Sequence, residues 1–189
     1  QGKGGYSLPH PIQPKMPIIN AAGSEEGRIF AMRNADFLFT PVFDFDQAKA
    51  TVTDITERAS SVNRKVDVLT LCTVVCRPTQ QEAEDYLHWY ADEQADWGAV
   101  DNLMTLQGMH AQSFTPEALA LYRDRMAAGH GGFPLVGTPD TIADLLEKLS
   151  ETGVAGTTLA FVDYAKEFPY FRQEVLPRLE AKGLRQPAN

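Results

Sequence analysis

What this chain lacks narrows its class before any motif is read. No apolar run approaches the roughly 20 residues of a membrane-spanning helix, and no secretory leader is visible. Positive charge is scarce: 17 Lys and Arg stand against 25 Asp and Glu, a formal net charge of −8. That excess argues against nucleic acid and anionic membrane as partners. The first residue is Gln1 rather than Met, which suggests a processed, cloned or truncated start. Cysteine is nearly missing too, with only Cys72 and Cys76, four apart in one apolar run. On a strand they face the same way about 13 Å apart, too far for a disulfide. No further ligands stand nearby, so no metal site is expected. Buried thiols in a reducing, cytoplasmic compartment are the simplest reading.

What is present is the composition of a globular protein. The 189 residues, 43% hydrophobic and 22% charged, suit one domain with a full core or part of a larger one. The stretch that organises the rest is PIINAAGSEEGR, residues 17–28. It reads as a short buried strand over 18–22, a turn, and a helix start carrying Gly23, Ser24 and Gly27. A helix start has unpaired N–H groups and the positive end of the helix dipole, which favours an anion. Glycine lets backbone approach such an anion closely. Ser24 can cap the helix or turn its hydroxyl and amide to a phosphate. By itself the pattern is more often plain capping than a ligand site.

Along the chain, residues 1–16 are rich in Gly and Pro and read as an extended leader. A helix follows over 25–33, a strand over 36–40 and an amphipathic helix over 44–61. VDVLTLCTVVC (66–76) is apolar on both faces, as a parallel strand covered by helices should be. Thr79 with Glu82 suggests a capping box for a helix over 80–96, broken at 97–98. Helices are expected over 99–108 and 115–128, the latter with Pro116 at its first position. Residues 129–138 read as a glycine-rich loop with a short extended piece, and 139–152 as a helix capped by Thr138. A strand over 157–161 and a helix over 164–182 complete the order. Strands alternating with helices call for a parallel α/β sheet with right-handed crossovers. Four such strands leave apolar edges and a bare face, so more strands are needed from somewhere.

Three separated blocks then resemble a known family: PIINAAGSEEGR with NADFLF, the segment VLTLCTVVCRPTQQEAEDYLHWYADEQADWGAVD, and GGFPLVGTPDTIADLLEKLSETGV through TTLAFVDYAKEFPYFRQEVLPRL. They resemble the C-terminal half of luciferase-like flavin-dependent monooxygenases. The dimethylsulfone monooxygenase branch is the nearest, with the pyrimidine and alkanesulfonate monooxygenases further out. The resemblance implies strands five to eight of a (β/α)8 barrel, with residues 1–189 a single domain fragment and residues 79–138 a helical insertion and loop. It also implies a cofactor, reduced FMN supplied by a separate NAD(P)H-dependent flavin reductase, with O2 as co-substrate and a small sulfone or sulfonate as substrate. The family's phosphate-binding serine maps onto Ser24, with Gly23 and Glu25 as backbone neighbours. No catalytic residue is implied in this chain.

Strands one to four are absent, a segment on the order of 160 residues. That half is lost or omitted, resides on another chain, or is replaced by a second copy; the first two are favoured over pairing of two copies. A homo-oligomer or association with the first half is therefore expected. Competing functions are a non-catalytic half barrel or phosphate-ligand module, and a barrel isomerase or aldolase. The last would want a Lys or carboxylate at a strand end, where only Asp163 stands. Residues 131–132 and 137–139 offer a second glycine-rich turn, read as an ordinary helix start. His10, His88, His110 and His130 show no ligand spacing. Trp97, Met104 and Phe133 could wall an apolar flavin pocket, although ordinary helix packing explains them equally well. A salt bridge is expected at Arg28.

Overall fold

Short apolar runs alternating with amphipathic stretches build one parallel sheet layered against helices. The computed structural model describes residues 12–13, 15–22, 24–108 and 115–187. The order is β1 (Ile19–Asn20), α1 (Glu25–Asn34), β2 (Phe37–Phe39), α2 (Phe45–Ser60), β3 (Asp67–Cys76), α3 (Gln80–His88) and a π-turn (Trp89–Glu93). Then come α4 (Trp97–Leu106), α5 (Pro116–Gly129), β4 (Phe133–Gly137), α6 (Pro139–Glu151), β5 (Gly156–Ala160) and α7 (Tyr164–Ala181). Every pairing is parallel. β3 is the axis. Leu69 pairs with both Phe39 and Gly156, and Cys72 with both Phe133 and Leu159. A strand has two edges, so β2 and β4 lie end to end along one edge of β3 and β5 takes the other.

Alternate residues of β3 explain its apolar run. Cys72, Val74 and Cys76 face α6 and α7, where Ile142, Leu149, Phe171 and Val175 close one core cluster. Leu38 and Val68 pack with Met32 of α1 and Ile55 of α2 in a second. On the opposite face Leu69 and Leu71 are half-buried. Towards the C-terminal end of β3 that face is covered: Thr73 and Val75 are buried.

The insertion supplies part of that cover. The Thr73 hydroxyl donates to Gly129 O (3.1 Å) and the Tyr90 hydroxyl to Ala128 O (2.9 Å). Arg125 donates to Val42 O (3.2 Å) and Phe43 O (2.7 Å). The end of α5 is thereby tied to the ends of β2 and β3. Gly129 is required there, because its φ is +155° and a Cβ would stand 2.5 Å from Thr73 Oγ1.

Several sequence expectations need correction. The first strand is neither five residues long nor buried: its ladder covers Ile19 and Asn20, and Ile18 and Ile19 are 47% and 59% exposed. Among the described strands β1 is an edge, held at its base by Asp36, which accepts from Ile18 N (2.9 Å) and Lys15 Nζ (2.7 Å). The extended piece expected inside residues 129–138 is a fifth strand of the sheet, β4. The long helix expected over 80–96 ends earlier, giving way to the π-turn at Trp89. Trp97 and Gly98 do not break a helix but begin one, because the Asp96 side chain accepts from Ala99 N (2.9 Å) and caps α4. Residues 1–11 and 14 of the expected leader, His10 and His110 lie outside the described residues.

Cys72 and Cys76 are free and buried. Burial pushes both thiols up to about 11, so at pH 8 only about one in a thousand is thiolate. Native protein is expected to resist iodoacetamide at pH 8 while urea-unfolded protein reacts at both sites, read by mass spectrometry. Rapid labelling of the native form contradicts this burial. The sign for stability follows: a folded value raised above the ordinary 9.0 stabilises fully below that value, and the gain is lost as pH climbs towards about 11.

Candidate flavin-phosphate turn

The candidate site sits where β1 hands over to α1, at the C-terminal end of a parallel strand, where ligands of α/β sheets gather. Ser24 is the N-cap, extended at φ −80° and ψ 158°. Its hydroxyl accepts from Gly27 N (3.1 Å), and its carbonyl accepts from Arg28 N (2.9 Å). The amides of Glu25 and Glu26, the first two helical residues, have no acceptor within the helix. Ser24, Glu25 and Glu26 are exposed. A Cβ on Gly27 would stand 2.5 Å from Ala22 Cβ and 3.2 Å from Ser24 Oγ, so glycine lets the turn fold tightly onto the strand end.

Two carboxylates in a first turn oppose a bound anion unless they are drawn away. Arg58 of α2 forms an ion pair with Glu25 and a second with Asp54 at 3.3 Å. The hydrogen bond from Arg58, followed by its charge and that of Arg28, holds the Glu25 carboxyl below its usual range. Sequence reading missed Arg58, which lies 33 residues from Glu25 and carries no local signal. The salt bridge expected at Arg28 is not formed among the described residues. Its Nε is instead buried with no hydrogen-bond partner, as is Asn20 Oδ1 on the strand before the turn. Of the three residues predicted for this site, Ser24 and Glu25 stand together on the turn, and Gly23 lies outside the described residues.

Residues 1–156 match the family model described as luciferase-like monooxygenase. The chain belongs to that family. It is 32% identical to an FMNH(2)-dependent dimethylsulfone monooxygenase from Pseudomonas fluorescens (strain Pf0-1), a match covering 94% of this chain and 51% of the relative. A dimethyl-sulfide monooxygenase from Hyphomicrobium sulfonivorans is 29% identical, with 96% of this chain and 45% of that protein covered. Among solved structures, DmoA from Hyphomicrobium sulfonivorans superposes with a TM-score of 0.75 at 24% identity, over 90% of this chain and 42% of its own. This luciferase-like chain thus spans about half the length of the curated relatives it matches, as the half-barrel reading expects.

The remaining candidates fall into structural roles. Thr138 caps α6 by accepting from Thr141 N (3.2 Å), so the second glycine-rich turn is a helix start. Phe133 faces the helix layer against Phe45, with ring centroids 5.3 Å apart. Met104 packs with Val100, Tyr122 and Met126, and Trp97 lies under Arg123 at 4.2 Å. Trp97 and Met104 thus share one helical cluster and Phe133 belongs to another, so ordinary packing accounts for all three. Phe161 is buried against Phe171, and Asp163 caps α7 by accepting from Lys166 N (3.2 Å). His88 lies on the surface between Asp92 and Glu93, and His130 adopts the left-handed conformation that ends α5. Among the described residues no helix is long and apolar enough to cross a membrane.

Proposed function

We propose that this chain is the cofactor-phosphate half of a two-component, cytoplasmic monooxygenase acting on a small organosulfur compound, a sulfone or sulfonate. Reduced FMN, when bound, supplies the electrons that activate O2 for transfer of one oxygen atom to the substrate. The chain's own contribution is binding and orientation. Residues 23–25 receive the phosphate: the Ser24 hydroxyl donates to one oxygen, and the amides at the start of α1 donate to others. Arg58 keeps the Glu25 carboxylate from competing. The insertion tied down by Thr73, Tyr90 and Arg125 limits water at the strand ends. A separate NAD(P)H-dependent reductase delivers the flavin, and the first half of the barrel, or a second copy, completes the site.

The observation that carries this reading is the exposed start of α1, whose first two amides lack intrahelical acceptors beside a serine hydroxyl. The relatives named for dimethylsulfone and dimethyl sulfide support the sulfur chemistry. With the preceding half of the barrel supplied, Ser24→Ala is expected to weaken FMN binding by roughly tenfold, the worth of one hydrogen bond to a charged group. Fluorescence titration of the flavin reads it, and unchanged affinity would remove Ser24 from the site. The alternative reading is a non-catalytic half-barrel or phosphate-ligand module. A purified chain that takes up no flavin even with the first half supplied would support that alternative.

A further inference from the structure

A concavity lies two strands away from the Ser24 turn, beyond the C-terminal end of β3 between α3 and α7. It has a volume of about 490 Å³, room for a ligand of two or three fused rings. Aromatic side chains form its walls: Tyr86 and Trp89 on one side, with centroids 5.8 Å apart, and Tyr170 on the other. Trp89 keeps 49% of its surface exposed, unusual for the largest apolar side chain when a wall is at hand. It also opens the π-turn, a rare helix geometry that is frequent at functional sites.

The polar inventory decides the ligand's charge. Both carboxylates at this rim are already engaged. Glu167 takes Arg77 on one oxygen (2.6 Å) and the amides of Val162 (3.1 Å) and Asp163 (3.2 Å) on the other. Asp163 accepts from Lys166 N (3.2 Å) and pairs with Lys166 Nζ (3.0 Å). The two ion pairs leave the rim neutral overall, with donor protons still free. Lys166 has a side chain 85% exposed and an ammonium with three protons, and the Trp89 indole adds another N–H. Arg77, stacked 3.9 Å over the Tyr86 ring, adds positive potential from the floor.

We propose that this cavity binds a planar aromatic anion, its rings against Trp89 and Tyr170 and its acid group on Lys166. The inference does not depend on the flavin-phosphate reading, which concerns a different turn and different residues.

Trp97→Phe leaves Trp89 as the one tryptophan of these 189 residues, so emission from this chain by itself reports on the cavity directly. Anthraquinone-2-sulfonate, a planar anionic quencher, is expected to quench Trp89 emission saturably. The uncharged 2-(hydroxymethyl)anthraquinone is expected to bind roughly tenfold more weakly. Lys166→Met is expected to lose the sulfonate's advantage by a similar factor, that of one charge-assisted hydrogen bond. Ser24→Ala leaves the titration unchanged, which separates this cavity from the turn after β1. Lys166 is exposed, so its variant keeps the fold, checked by circular dichroism. Linear quenching without saturation, equal affinity for the two anthraquinones, unchanged binding in Lys166→Met, or loss of binding in Ser24→Ala each overturns the proposal.

Discussion

Phe171→Ala is expected to lower the unfolding free energy by about 3–5 kcal/mol, the range for truncating a fully buried aromatic side chain. Phe171 has no exposed surface. It sits on the inner side of α7, edge-on to Phe161 with centroids 5.4 Å apart, in the cluster that joins β3, α6 and α7. Removing the ring leaves a void between three elements that cannot all collapse at once, because β3 is pinned on both edges. Against a typical domain stability of about 5–15 kcal/mol, that is a loss of a fifth or more. Phe168, one turn earlier on the same helix and 42% exposed, is the internal control. Phe168→Ala should cost well under half as much. Urea denaturation reads both, as a lowered midpoint with unchanged slope. Equal losses would mean that α7 packs on a different face.

Glu167→Ala carries the second large effect, about 2–3 kcal/mol, and should exceed Arg77→Ala. The ion pair is partly buried, with side-chain exposures of 22% for Arg77 and 9% for Glu167, so the 3–5 kcal/mol of a fully buried pair is discounted for solvent. The asymmetry comes from the other bonds. Deleting Glu167 leaves the Arg77 guanidinium with Cys76 O as its one remaining acceptor among the described residues, and takes the side-chain acceptor from the Val162 and Asp163 amides. Deleting Arg77 leaves Glu167 two backbone donors that still satisfy it. The loop after β5 is the segment released, so hydrogen exchange at residues 161–163 should quicken in Glu167→Ala. A larger loss in Arg77→Ala would mean that the guanidinium's stacking on Tyr86, not its pairing, holds this corner.

Much of this architecture was legible because local chemistry and global fold agree. β3 announced itself by an apolar run with no polar face, since helices cover one side and the insertion much of the other. Thr79 with Glu82, Thr115 with Pro116 and Thr138 with Pro139 marked helix starts through caps that depend only on neighbouring residues. β4 was harder to see. Its five residues contain Pro134 and follow Gly131 and Gly132, and they become a strand only by pairing with Cys72–Cys76. β4 pairs with β3 alone among the described strands, an edge position where proline is tolerated. The start of α4 was hidden similarly, because Asp96 as a cap outweighs the helix-breaking tendency of Gly98. At the candidate site, the Ser24 cap could be read from its own dozen residues. Arg58, which neutralises Glu25, could not, because it arrives from another helix.

The measurement that bears most directly on phosphate recognition at the Ser24 turn compares FMN with riboflavin, which has the same ring and no phosphate. Both affinities are measured for the parent and for Ser24→Ala, with the first half of the barrel present. If the turn after β1 holds the phosphate, the substitution weakens FMN by roughly tenfold and leaves riboflavin unchanged. If both ligands weaken equally, or neither does, the phosphate binds elsewhere and Ser24 is only a helix cap.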